Sequence, residues 1–542
     1  MVESRGGGGM AGVERRSGRR AAPRVLGVIG PLVLFALLRV PSFLEPHWYT
    51  DEAGYVATAR AVLHGKLLYA QIWTNKPPLD IWTVAATIRV LGTSEAALHA
   101  VTLVSGALTM LAVAHAARRL VAPWRATVIL ILAAVLLGTP LFDAELLLPE
   151  SLLIVPVTWA GALLVTRVAS PDARRWPRWP LAVGLLAAAA VAYQQTALAE
   201  TCAFGLLLAL SPVGSRGRRL AMYLAGFGGL TLLWLVPTLA LAGPTTVAQA
   251  LVGFWVPFTQ AQYPTGGGDA ILSLLPTAAS LALLVGAAWL LRSDRGTAWR
   301  LWLWAGAALL VAAVARQPYP HYLLPSVAPA ALAFGTLRLP TRQTVGQGAR
   351  GMAVAGLGIG WLLAVGGGSV AGADWLVPGD AGNGGLVAYY GGAVATLTHR
   401  QSLTAYQDAF DSRVAEDAAV ASWISAHGLD GTTAVVWSAD AWLYSENHLQ
   451  LLLPTPPIYN DEVLLGETGQ VAQRVRELRP ELIVTEASSV AEFPDITPVL
   501  EAGYTQVARS GGEIVWLRND VVQAVVGPPH QVAVAGVPSS AG

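Results

Sequence analysis

The stretch 96–117 reads AALHAVTLVSGALTMLAVAHAA, 22 residues without an acid, a lysine or an arginine. At about 1.5 Å of rise per residue it forms a helix as long as the hydrocarbon core of a bilayer is thick, about 30 Å. Two arginines, Arg118 and Arg119, close it. Runs of spanning or near-spanning length recur near 25–44, 126–140, 151–168, 181–194, 197–211, 220–242, 271–291, 299–315, 322–338 and 351–371. A soluble core cannot absorb so many, so the fold class is a polytopic α-helical membrane protein with about eleven transmembrane helices. The 542-residue composition agrees: 54% apolar, 13% charged and a mean hydropathy of +0.51, about half the usual charged share. The pair of runs at 181–211 reads as two short spans or as one re-entrant segment broken around Gln194, Gln195 and Thr196.

Charge distribution orients the bundle. Of 35 basic residues all but Lys66 and Lys76 are arginine. Arg5, Arg15, Arg16, Arg19, Arg20 and Arg24 precede the first span. Alternate loops carry Arg118, Arg119 and Arg125; Arg167, Arg174, Arg175 and Arg178; Arg216, Arg218 and Arg219; Arg292, Arg295 and Arg300; Arg338, Arg342 and Arg350. The opposite loops and the spans hold only Arg39, Arg60, Lys66, Lys76, Arg89 and Arg316. Cytoplasmic loops are the arginine-rich ones. This predicts a multi-pass protein of the plasma membrane with a cytoplasmic N-terminus and, after eleven spans, an extracytoplasmic C-terminal region. The first span is followed by no small-residue cleavage site and is not read as a signal peptide.

Residues 1–24 are Gly- and Arg-rich and read as a disordered basic arm, and 526–542 as a flexible tail. The transmembrane module is placed at 25–372, with its first external loop at 45–95. Within 373–525 the charge rises and strand-like and helical runs alternate. Helices are predicted at Asp411–His427 and Gln470–Leu478, and strands at Thr432–Trp437, Glu481–Thr485 and Glu513–Leu517, a small α/β domain. No glycine-rich phosphate fingerprint follows any of those strands. A single cysteine, Cys202, excludes a disulfide scaffold, and a net charge of +1 argues against a nucleic-acid partner.

The loop 45–95 is too polar to span and too long for a plain connector. It reads His47-Trp48-Tyr49-Thr50-Asp51-Glu52-Ala53-Gly54-Tyr55, and later Trp73-Thr74-Asn75-Lys76-Pro77-Pro78-Leu79-Asp80-Ile81-Trp82. Glu52, Tyr55, Val56, Ala59 and Leu63 share one helical face, which predicts a helix on the membrane surface with Asp51 and Glu52 at its start. The two acids suit helix capping. They equally suit a reacting site, where their divergence of about 100° gives them different roles. Lys76 stands before two prolines that hold its segment extended. It reads either as a compact cation for a phosphate or as a lysine snorkelling at the interface.

Two more features fall on the same side. Phe142-Asp143-Ala144-Glu145-Leu146-Leu147-Leu148-Pro149-Glu150 puts Glu150 in the first turn of a span, as a cap or as an acid facing a cavity. Asp143 and Glu145 read as solvated loop acids. Gln317-Pro318-Tyr319-Pro320-His321-Tyr322 offers His321 for a phosphate or a substrate hydroxyl, and Tyr319 and Tyr322 as interfacial anchors. All these features lie at one bilayer face. His99 and His115 are the only titratable residues inside the second span, and the sequence pairs no acid with them. A transporter places its ionisable groups near the midplane instead.

Asp51-Glu52, Tyr55, Gly65, Tyr69, Lys76-Pro77-Pro78-Leu79 and Trp82 together resemble the first external loop of bacterial family 39 type glycosyltransferases. These are GT-C fold relatives of the protein O-mannosyltransferases and of the aminoarabinose lipid A transferase. The run His321-Tyr322-Leu323-Leu324-Pro325 is similar to a segment of the same family. The resemblance covers roughly 25–340 of this sequence. It implies a polyprenyl-phosphate-linked sugar as donor and a glycan, lipid or protein acceptor outside the membrane, with inversion at the anomeric carbon. On this resemblance Asp51 is the general base and Glu52 supports the loop or contacts substrate. Lys76 meets the donor phosphate and Glu150 completes the site, with Tyr55, His321 and Tyr322 at the substrate. The lipid A transferase type has an acid where Asn75 stands, so no metal and no other cofactor is expected. It also has an arginine where Gly54 stands; Arg60 is the nearest substitute. A lysine found in some relatives is replaced here by Gln194-Gln195. Competing readings are a lipid-linked sugar flippase and a non-catalytic glycolipid-binding protein.

Overall fold

The structure is a computed structural model and describes residues 14–169, 177–255, 281–286, 298–315, 319–336, 385–438, 441–456, 468–525 and 535–536. The expected spans at 351–371 and, outside 281–286, at 271–291 lie beyond the described residues. So do most of the N-terminal arm, residues 316–318 and nearly all of the tail.

The first third of the chain forms α1 (Glu14–Leu38), α2 (Thr50–Leu63), α3 (Pro78–Leu91), α4 (Glu95–Leu120), α5 (Pro123–Gly138) and α6 (Pro149–Val168). Then follow α7 (Trp179–Tyr193), α8 (Leu198–Leu210), α9 (Arg216–Ala242), α10 (Pro244–Ala248), α11 (Ala298–Ala315) and α12 (Val327–Gly335). Proline begins α3, α5 and α6, where its missing N–H is no loss. Among the described residues four segments are long and apolar enough to cross a membrane: Leu26–Leu44, Glu95–Leu120, Pro149–Val168 and Arg216–Ala242. α5, α7 and α8 are shorter apolar helices. The 181–211 stretch is two helices, joined through Gln194 and one 3-10 turn at Gln195–Ala197.

The main helix neighbours are α4 with α5 and α6, α6 with α7, and α7 with α9. Small residues allow the close approach that membrane helices use. A Cβ at Gly184 would meet the backbone of Tyr223, and one at Gly226 the backbone of Leu181, so α7 and α9 touch main chain to main chain. This order sorts the chemistry. Arg118, Arg119, Arg125, Arg167, Arg216 and Arg300 lie in end turns at one end of the bundle. The opposite end gathers the N-termini of α2, α3, α4 and α6 and the 3-10 helix Pro320–Ser326.

The loop expected at 45–95 contains two helices, not one; α3 begins at the second proline of the Lys76-Pro77-Pro78 turn. Within the stretch read as the C-terminal domain, an apolar helix, α13 (Gly385–Leu397), packs back on the end of α1. Its Tyr390 hydroxyl donates to the Leu38 carbonyl (3.0 Å), and its Tyr389 hydroxyl to Glu45 (2.5 Å).

The α/β unit holds one six-stranded sheet: β1 (Thr433–Trp437), β2 (Gln450–Leu451), β3 (Leu482–Glu486), β4 (Tyr504–Ser510), β5 (Glu513–Arg518) and β6 (Ala535–Gly536). The order is β2-β1-β3-β5-β4-β6, parallel over its first three strands. β5 joins β3 and β4 antiparallel. β4 was not legible in the sequence, because a bulge between Gln506 and Ala508 breaks its alternation. This unit grips the first loop. The His47 ring stacks on Trp442 at 4.0 Å and its Nδ1 lies 2.9 Å from Glu446. Lys66 Nζ donates to the Leu451 carbonyl (2.5 Å), and the Trp73 N–H to that of Pro454 (2.7 Å).

Candidate active site

α2 starts after Tyr49, which is extended (φ −91°, ψ 119°), so Asp51 and Glu52 fall in its first turn. Their divergence separates them completely. Glu52 is fully buried, and its Oε1 accepts the Leu147 N–H at 2.6 Å. Burial pushes its carboxyl up to about 7, with the Leu147 hydrogen bond and His47 pulling it back. Asp51 is half-buried on another side of the helix. Its charge acts on Tyr49, Asp80, Tyr319 and His321, which places it among them.

Lys76 is buried and its segment is pinned from three directions. The Tyr69 hydroxyl donates to the Lys76 carbonyl (2.6 Å), and the Lys76 N–H to Thr74 Oγ1 (3.3 Å). Gln195 Nε2 donates to the carbonyls of Asn75 (3.0 Å) and Leu251 (3.3 Å). Tyr69 holds a positive φ of 66°, a conformation non-glycine residues adopt only under constraint. The ammonium lies 5.8 Å from the Tyr55 ring centroid and 5.4 Å from that of Trp255, within cation–π range. Among the described residues no carboxylate forms an ion pair with it.

Four residues after Lys76, in the first turn of α3, lies Asp80, fully buried, with neither carboxylate oxygen hydrogen-bonded. Burial pushes it well above the usual carboxylate range; Lys76 opposes this, while Glu150 and Asp51 add to it. Glu150 is buried in the first turn of α6, its Oε1 accepting from Gln194 Nε2 at 2.7 Å.

His321 sits on the 3-10 helix Pro320–Ser326, between the rings of Tyr319 (stacked, 5.5 Å) and Tyr322 (edge-on, 4.7 Å). Its Nδ1 lies 3.0 Å from Asp143 Oδ2 and 3.4 Å from the Tyr49 hydroxyl. Burial by itself would lower this imidazole, but Glu150, Asp143 and Asp51 outweigh it and the pKa is raised. With Nδ1–H directed at Asp143, Nε2 is the edge left for a ligand.

The site therefore brings together Asp51, Lys76, Glu150, His321, Tyr55 and Tyr322. It does not include Glu52, which faces Leu147, nor Arg60, which is nine residues on in the last turn of α2, about 13 Å along the axis. Asp143 and Glu145 are not solvated loop acids. Asp143 is buried against His321, and Glu145 pairs with the buried Arg39 at 3.3 Å. Asp80 and Gln194 join the site unannounced. The one signal for Asp80 was its place in the first turn after Lys76-Pro77-Pro78. His99, read as unpaired, has Glu95 at 3.4 Å one turn before it on α4.

Chemically, the pocket offers a carboxylate, a buried ammonium and an imidazole edge, at a bundle end where the loops meet the α/β unit. No family model and no curated protein matches the chain. Among solved structures it is similar to ArnT from Cupriavidus metallidurans in the apo state. The TM-score is 0.57 at 18% identity, over 91% of this chain and 97% of that one. It is similar also to ArnT from Cupriavidus metallidurans bound to undecaprenyl phosphate, with a TM-score of 0.53 at the same identity and coverage. The fold is thus the GT-C fold, in a helical membrane protein with a small C-terminal sheet.

Proposed function

We propose that this chain is an inverting glycosyltransferase that moves a sugar from a polyprenyl-phosphate donor to an acceptor at the outer face of the membrane. The gathering of Asp51 and Lys76 around Asp80, with Asp51 also acting on His321, carries this reading. The likeness to a protein solved with undecaprenyl phosphate supports the class of donor. The arginine-rich end of the bundle, opposite the site, supports the outward orientation and the extracytoplasmic place of the sheet unit.

Asp51 accepts the proton of the acceptor hydroxyl. The oxygen attacks the anomeric carbon from the face opposite the phosphate, and the bond from that carbon to the phosphate oxygen breaks. The electron pair leaves with the polyprenyl phosphate. Lys76 Nζ and the His321 Nε2 edge meet the charge that develops there. A phosphate leaves as an anion, so no general acid is required. Glu150 offsets the positive charge of His321. Tyr55 and Trp255 exclude water from the ammonium and strengthen its field. A positioned carboxylate base contributes about 10²–10⁴-fold, and holding two substrates in line supplies much of the rest.

The test is turnover in lipid-reconstituted protein, with a panel of radiolabelled polyprenyl-phosphate sugars and a cell-envelope acceptor. Label moving from one donor to acceptor in the wild type, and not in Asp51→Asn although donor still binds, sustains the reading. Intact labelled lipid changing leaflet equally in both proteins would replace it with lipid transport.

A further inference from the structure

Beside the pocket just described, the first turn of α2 borders a second cluster that the reaction does not use. Glu52, Glu95 and His99 are 0%, 5% and 0% exposed. One ligand atom from each lies within 4.8 Å of the other two. Glu52 Oε2, both oxygens of Glu95 and His99 Nε2 are buried, and among the described residues no N–H or O–H group is directed at them. Four buried acceptor atoms facing one another are costly unless a proton or a cation lies between them.

The histidine limits what that occupant is. Its Nδ1 lies 2.6 Å from the Ser42 carbonyl, which can only accept, so Nδ1 carries the hydrogen. In the neutral ring Nε2 then presents a lone pair toward two carboxyl groups. A single proton on Glu95 can serve Glu52 or His99 Nε2, which lies 3.4 Å from Glu95 Oε2, but not both at once. A divalent cation neutralises both carboxylates and takes the lone pair.

The geometry suits one. Glu95 and His99 share a helical face at i, i+4. Their ligand atoms are 3.4 Å apart, and a tetrahedral centre with bonds near 2.0–2.1 Å has edges of about 3.4 Å. The Ser42 carbonyl on the far ring nitrogen is the kind of partner that orients metal-bound histidines. One imidazole with two carboxylates favours zinc-like ions over calcium or magnesium. The set does not involve Asn75, where a metal was not expected.

We propose that Glu52, Glu95 and His99 form a binding site for a divalent transition metal of the zinc type. Bound there, the ion ties the first turn of α2 to the first turn of α4. Through Glu52 Oε1 and the Leu147 N–H it also reaches the loop that carries Asp143 and leads into Glu150. Its role is positional: it holds the helix turn from which Asp51 projects.

The full chain in nanodiscs, stripped with a chelator and reloaded, tests this without any activity assay. Zinc is measured by mass spectrometry after gel filtration, and cobalt by its visible absorption. The expected result is about one ion per chain, tetrahedral cobalt bands, and a rise in thermal midpoint on adding zinc but not magnesium. His99→Gln and Glu95→Gln lose all three; Asp51→Asn keeps them. Should either variant fail to fold, stripping and reloading the wild type decides alone. Wild type that takes up neither zinc nor cobalt above the level of unfolded protein overturns the proposal and leaves a shared proton as the occupant.

Discussion

Two neighbouring residues on α2 hold the same chemical group in opposite circumstances. Asp51 borders a pocket in which the chain supplies its own cations, Lys76 and the acid-flanked His321. Glu52 borders one in which it supplies a second acid, a histidine lone pair and no cation of its own within hydrogen-bonding reach, among the described residues. Buried charge must be balanced. A pocket with built-in cations is prepared to receive an anion, and one with surplus acid is prepared to receive a cation. One helix turn, through a rotation of about 100° per residue, serves both.

The largest effect expected is at the reacting side of that turn. Asp51→Asn should lower kcat by about 10²–10⁴-fold and leave donor affinity nearly unchanged, read by steady-state kinetics beside equilibrium binding of labelled donor. Glu52→Gln should cost less turnover and should instead lose metal. Should Glu52→Gln abolish chemistry with metal content intact, the division of roles between the two acids is reversed.

Next in size is the cation. Lys76→Met removes the ammonium proposed to face the developing phosphate charge, and should lower kcat/KM by about 10²–10³-fold, with weakened donor binding. Lys76→Arg should not restore it, because a planar guanidinium does not fit the space of a compact ammonium between Tyr55 and Trp255. Full rescue by arginine would mean that the phosphate is met outside this aromatic enclosure.

A third test uses pH. The native His321 pKa is raised, so the native state holds its proton more tightly than the unfolded chain does. Its stabilising contribution is complete below the unfolded value of about 6.5 and is lost as pH rises through the native value. The gap in thermal midpoint between wild type and His321→Gln should therefore shrink as pH increases from the acid side of neutrality into the alkaline range. A gap independent of pH would show that the ring contributes through packing between Tyr319 and Tyr322, and not through charge.

The comparison also explains what could be read from the sequence. Helix starts are local, so Asp51 and Glu150 were visible as acids in first turns, and Lys76 was conspicuous as one of two lysines before a double proline. Whether a loop acid is solvated or buried is decided by distant packing. Asp143 meets its partner 178 residues away, and Arg39 meets Glu145 across 106. The site at Glu52, Glu95 and His99 joins two elements more than 40 positions apart, and only its i, i+4 half lay within one helix. The sheet shows the same limit: β1, β3 and β5 stand out as apolar runs, while bulged β4 does not.

The smallest effect is expected at Arg60, and its smallness is informative. Family resemblance offers this residue as the substitute for an arginine missing at Gly54. Its backbone carbonyl accepts the His64 N–H in the last turn of α2, and burial alone lowers its pKa, with no acid contributing. A guanidinium serving a phosphate would need to share the pocket of Lys76, yet it starts about 13 Å along the helix from Asp51. Arg60→Ala should therefore change kcat/KM by no more than about twofold, in the range of ordinary surface substitutions. A loss as large as that of Lys76→Met would require the far end of α2 to reach the donor, and would extend the anion pocket along the whole helix.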